Sequence, residues 1–145
     1  MKLSTIGHTK KSLRRFVELL RNAEIDAVID IRLNTSSQLM GYAKAEDLSF
    51  VLETLGISYL HLPELAPTKE LLQRYRGDKD WEAYESEFTE LMKERGAASV
   101  AREALSRFSQ PCLLCSEDKP DKCHRRLVAE IVAAEYPDTE VGHLL

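Results

Sequence analysis

Pro111-Cys112-Leu113-Leu114-Cys115-Ser116-Glu117-Asp118-Lys119-Pro120-Asp121-Lys122-Cys123-His124-Arg125-Arg126 holds all three cysteines and one of the four histidines of the chain. It begins as a short apolar run and turns through polar residues around Pro120. It then opens into a basic helix start followed by Leu127, Val128, Ile131 and Val132 at helical spacing. An unbroken apolar run giving way to a 3.6-residue stripe reads as a buried strand, a loop and an amphipathic helix. A buried strand that delivers polar side chains to a helix N-terminus is where open α/β sheets place their ligand sites. The stretch therefore decides the fold class and locates the site together.

The same alternation extends through the preceding sequence. Leu3 to Gly7 reads as a first strand, and Leu13, Phe16, Val17 and Leu20 as the apolar stripe of a helix with Thr9 as its N-cap. Ile25 to Ile31 is rich in β-branched residues and reads as a second, buried strand. It leads through Asp30 and Arg32 into a polar loop, Asn34-Thr35-Ser36-Ser37. Leu48, Val51, Leu52 and Leu55 mark a helix stopped by Gly56, and Ile57 to Leu62 a third strand ended by Pro63. From Thr68 to Phe108 the pattern is helical. One apolar face carries Trp81, Tyr84, Phe88, Leu91 and Met92, another Val100, Ala104, Leu105 and Phe108, with Gly96 dividing them. The last helix is expected from Pro120 or Asp121 to Glu135, and Val141 to Leu145 reads as a final strand.

Strands separated by helices predict βαβ units. The expected fold is α/β: a single three-layer domain over residues 1–145. Its sheet is mainly parallel, of about four or five strands, with helices on both faces. With 145 residues, 43% hydrophobic and 30% charged, the chain suits one soluble globular domain. No apolar run reaches the roughly 20 residues needed to span a bilayer, so no membrane partner is expected. The first residues lack a signal-peptide core, and an odd number of cysteines points to reduced thiols and a cytoplasmic location. A net charge of −4 argues against non-specific coating of nucleic acid.

In a parallel sheet the residues just beyond each strand gather along one edge. Here they are His8 and Thr9, Asp30 and Arg32, His61, and Cys115 through Glu117. Four segments along this edge and the helix after it, Thr5-Ile6-Gly7-His8-Thr9, Asp30-Ile31-Arg32, Leu114-Cys115-Ser116-Glu117 and Cys123-His124-Arg125-Arg126, resemble the family called domain of unknown function 488. The resemblance spans nearly the whole chain in order. It departs after Arg32, where Asn34-Thr35-Ser36-Ser37 stands in place of the family's usual proline. The resemblance implies a small bacterial or archaeal α/β protein and supplies no reaction.

Three chemistries compete for this edge. A helix N-terminus and its basic neighbours would favour a thiolate at Cys123, with His124 beside it and Asp30 or Glu117 orienting the imidazole. The bland counterpart is a small thiol packed beneath a turn. Second, Cys115, Cys123 and His124, with His8, form a set of soft ligands, but the spacing lacks paired knuckles and assigns no metal. Cys112 and Cys115 point to opposite faces of a strand, which leaves Cys112 to the core. Third, two basic helix starts beside Arg32 suit a phosphate or carboxylate. Arg32 next to Asp30 is either half of a structural pair or a ligand clamp. Lys10, Lys11, Arg14 and Arg15 read as a solvated helix face. Tyr75, Arg74 and Arg76 are a weak cleft signal, and Trp81, Tyr84 and Phe88 read as core.

The leading expectation is an enzyme acting on a phosphate-bearing substrate, a nucleotide or nucleic-acid component. Cys115, Cys123, His124, His8, Asp30 and Glu117 form its catalytic set, and Arg32, Arg125 and Thr9 its anion contacts. The sequence names no cofactor and no oligomeric state. The alternative is a non-catalytic module that binds nucleic acid or protein through the same pocket, with a Cys/His metal site in it.

Overall fold

A computed structural model describes all 145 residues. Its elements are β1 (Lys2–Gly7), α1 (Leu13–Asn22), β2 (Ala27–Asp30), α2 (Ala45–Thr54), β3 (Ser58–His61), α3 (Lys69–Asp78), α4 (Trp81–Arg95), α5 (Ala97–Leu105), β4 (Pro111–Cys115), α6 (His124–Glu135) and β5 (Glu140–Leu144). The five strands form one sheet in the order β3-β2-β4-β1-β5, and every pairing is parallel. The α/β class and the parallel sheet predicted from the sequence are both present. No helix is long and apolar enough to cross a membrane.

Two cores follow from the alternation of side chains along each strand. On one face Ile6, Val28, Cys112 and Leu114 meet Phe16 and Leu20 of α1 and Leu48 and Leu52 of α2. On the other, Ala27, Ile29 and Leu113 meet Phe88 and Met92 of α4, Leu105 of α5, and Leu127, Val128 and Val132 of α6. Thus β1 and β2 send their connections over one face, while β4, between them, sends its own over the other. That divergence opens a crevice at the C-terminal end of β4, the usual ligand position in doubly wound sheets.

Local chemistry moves several predicted boundaries. Lys10 adopts a left-handed φ of 61° and adds a turn before α1, so the helix starts later than expected. Its N-cap is Ser12, whose Oγ accepts the Arg15 N–H at 3.1 Å, and not Thr9. The long helical stretch breaks twice. Besides Gly96, Lys79 turns left-handed at a φ of 58° and Asp80 caps α4, so three helices stand where two were read. The last helix begins at His124. Cys123 is its extended N-cap (φ −141°, ψ 138°), and residues 116–122 form a loop ahead of it.

Candidate functional site

β4 ends at Cys115 and α6 starts at His124, so the loop between them folds one sulfur back over the other. Cys115 Sγ, Cys123 Sγ and His124 Nδ1 all lie within 4.8 Å of one another. The Cys115 Sγ to His124 Nδ1 distance is 3.3 Å, and His124 Nε2 donates to the Ile31 carbonyl at 2.7 Å. A carbonyl only accepts, so Nε2 carries the proton and the Nδ1 lone pair faces the sulfur. Phe88 packs against the imidazole at a ring distance of 5.6 Å. All three residues are buried, and all three cysteines are free thiols.

The two sulfurs differ in electrostatic setting. Burial opposes ionisation of Cys115, yet the Cys123 thiol, the Glu117 and Ser116 backbone N–H groups and the Arg125 charge hold its pKa below the ordinary thiol value. Burial and the neighbouring Cys115 push Cys123 well up. The setting favours a thiolate at Cys115 over the one expected at Cys123: Cys123 is the N-cap of α6, but its side chain accepts no capping hydrogen bond, and burial beside Cys115 raises its pKa. Cys112 lies on the opposite face, and burial raises its pKa as well. Tyr84, 3% exposed, feels the charge of both site sulfurs, and burial first of all raises its phenol pKa.

Arg125 builds the loop. Its Nε donates to Thr5 Oγ1 at 3.2 Å, Nη1 to the Glu117 carbonyl and toward Cys123 Sγ at 3.7 Å, and Nη2 to the Asp118 carbonyl at 3.3 Å. The Thr5 hydroxyl in turn meets His143 Nδ1 at 2.6 Å. The residue is 0% exposed and no carboxylate is among its partners, so a buried cation faces only neutral acceptors and sulfur. Such a cation is costly unless negative charge gathers nearby. Further pins are Thr9, whose hydroxyl donates to the Ser116 carbonyl, and Lys11, which pairs with Asp118 at 2.7 Å. Gly7 lies opposite Cys115 in the sheet, and a Cβ there would strike the Glu117 carbonyl and stand 2.8 Å from Arg125 Nη1.

Beside this floor, Asp30 is fully buried and grips Arg32 through both carboxylate oxygens, at 2.8 Å (Nε) and 2.6 Å (Nη2). The Tyr59 hydroxyl donates to Asp30 at 2.5 Å, and His61 Nε2 donates to the Arg32 carbonyl at 2.9 Å. Arg32 is thus held in a buried ion pair and also lines the cavity. His8 is half-buried and its Nε2 has no partner. Burial, then the Arg32 charge, lowers its pKa to about 4.

Above the three-residue floor lies a cavity of about 720 Å³. Tyr75, Trp81 and Tyr84 form an aromatic wall, and Arg76, Lys79 and Lys122 stand at the rim with the exposed side chain of Glu117. Of the residues read from the sequence, Cys115, Cys123, His124, Glu117 and Arg32 share this cavity. Arg125 and Thr9 lie behind the loop with their donors occupied, Asp30 is sealed under Arg32, and His8 stands outside the sulfur cluster. Trp81 and Tyr84, read from the sequence as core, do belong there, Tyr84 within the buried cluster and Trp81 packed against it, while both also border the cavity; Lys11, read as part of a solvated face, does not fit that reading. The Lys11 side chain is 4% exposed, and only its distant partner Asp118 could have revealed that. Of the weak cleft signal, Tyr75 and Arg76 do line the cavity, while Arg74 pairs with Glu87.

A parallel α/β domain with a cysteine–histidine cluster at the C-terminal edge of its sheet is the class that fold and site define. Residues 12–132 match the family described as domain of unknown function DUF488, and the chain belongs to that family. No curated protein and no solved structure matches the chain.

Proposed function

We propose that the protein is an enzyme acting on a phosphate-bearing ligand, a nucleotide or nucleic-acid component, bound in the cavity above Cys115, Cys123 and His124. One observation carries the reading: a cluster of reactive side chains forms the floor of a cavity with both aromatic and cationic walls. Aromatic faces stack on a base, with the half-buried Trp81 and Tyr75 the rings within reach and Tyr84 stacked behind Trp81, and rim cations meet phosphate oxygens. The volume, about 720 Å³, falls in the range of small-molecule sites. Arg76, Lys79 and Lys122 supply the anion contacts in place of Arg125 and Thr9. Free thiols suit a reducing, cytoplasmic setting.

Equilibrium binding of nucleoside monophosphates, with the parent nucleosides and inorganic phosphate as controls, tests the ligand class. The expected result is saturable binding that needs both base and phosphate and that weakens at least fivefold in Trp81→Ala and in Lys122→Ala. Binding without turnover of any phosphate, glycosidic or base bond would leave a binding module. Absence of binding would overturn the ligand class.

A further inference from the structure

We infer that Cys115, Cys123 and His124 bind one zinc ion whose fourth coordination position opens into the cavity. The inference deepens the reading above, because it names the reactive group on the cavity floor. Two thiolates and an imidazole are the soft and borderline ligands that zinc takes and that magnesium, calcium and manganese do not. Tetrahedral zinc sets S···N at about 3.6 Å and S···S at about 3.8 Å. The Cys115 Sγ to His124 Nδ1 separation is 3.3 Å, and no pair in the trio exceeds 4.8 Å. Adjustments of a few tenths of an ångström for the first, and up to about 1 Å within the trio, bring the three to bonding positions.

The surroundings are those a metal site requires. Nε2 of His124 is committed to the Ile31 carbonyl, which fixes the tautomer and leaves the Nδ1 lone pair directed at the cluster. Arg125 Nη1 reaches Cys123 Sγ at 3.7 Å from behind the loop. All three ligands line the cavity, which gives the fourth position access to it. Three protein ligands with one free position are the pattern of catalytic zinc.

Charge completes the argument. Loading displaces both thiol protons, and zinc with two thiolates and a neutral imidazole carries no net charge. The buried, carboxylate-free Arg125 then favours an anion as fourth ligand, either hydroxide or a phosphate oxygen of the bound ligand.

Metal analysis of protein purified without chelator tests the site, followed by removal of the ion and reloading with cobalt(II). About one zinc per chain is expected, along with the visible bands of tetrahedral cobalt and a sulfur-to-cobalt charge-transfer band. Cys115→Ser, Cys123→Ser and His124→Asn should each lose at least tenfold in zinc affinity while keeping the far-ultraviolet signature of the fold. Cys112→Ala, which alters the sulfur on the other sheet face, should retain the full complement. Three titratable thiols with neither zinc retained nor cobalt bands formed would overturn the proposal. So would a Cys112→Ala protein that loses its metal along with the other variants. AMP titrated against both metal-free and zinc-loaded protein separates the two readings. Zinc uptake with neither AMP nor any other nucleoside monophosphate bound upholds the metal and overturns the ligand class, and nucleotide binding without zinc uptake does the reverse.

Discussion

Single side chains at the sheet edge make contributions to stability that can be tested one at a time. His8 takes up a proton at about 4 in the folded protein and near 6.5 when unfolded. Between those values the unfolded chain binds more protons, so stability is fully present above pH 6.5 and falls as pH drops through 4. For a half-buried group the loss is on the order of 1–2 kcal/mol. His8→Gln should flatten that slope in urea titrations across the interval, leaving the smaller contribution of His143, whose pKa burial also lowers. Gly7 has no room for a methyl group beside Glu117 and Arg125, so Gly7→Ala should destabilise by about 1–3 kcal/mol. The Asp30–Arg32 pair was legible only as an alternative between clamp and scaffold. Its sequence spacing is the same in both cases, and only the structure shows the bidentate contact, with Tyr59 added, that holds the guanidinium against Asp30. Removing one partner strands a buried charge, so Asp30→Ala should cost about 3–5 kcal/mol. The Asp30→Ala/Arg32→Met double variant should cost clearly less than the two single changes added together.

Among the elements, the loop from Ser116 to Lys122 and the start of α6 act as one unit held by Arg125. Lysine offers one nitrogen where the guanidinium serves two carbonyls, a hydroxyl and a sulfur. Arg125→Lys should therefore lower stability by about 2–5 kcal/mol. It should also raise amide exchange in residues 116–119 well above that in β4, a readout that separates loop release from general weakening. Sequence periodicity exposed the strands and the apolar helix faces, because burial imposes periods that survive in any context. It missed the later start of α6 and the break at Lys79. A left-handed lysine leaves no compositional mark, and the loop ahead of Cys123 is shaped by a residue after it. The cluster itself was legible because its three members fall within ten residues. The aromatic wall was legible only as core, which it also is: Tyr84 belongs to the buried cluster and Trp81 packs against it.

Over the whole molecule, the charge is −4, while at the cavity rim the cations Arg76, Lys79 and Lys122 outnumber the one carboxylate, Glu117. A field of that kind concentrates small anions at one opening and repels them elsewhere. Nucleotide binding should then weaken by about five- to tenfold between 0.05 and 0.5 M salt, with the slope reduced in Lys122→Ala. Calorimetry at several ionic strengths would detect it, and a salt-independent affinity would assign recognition to the aromatic wall alone.

The strand order has a kinetic consequence. β1 and β2 flank β4 and make no ladder with each other, so the middle of the sheet stays open until β4 inserts. Four helices, α2 to α5, separate β2 from β4 along the chain, and their loop entropy opposes closure before any central pairing rewards it. Refolding should be slow for a domain of this size, with helices formed early and docking last. The sulfur–imidazole trio belongs to the closing strand and the helix behind it, so its maturation marks the end of folding, and a probe of thiol accessibility would time that final step.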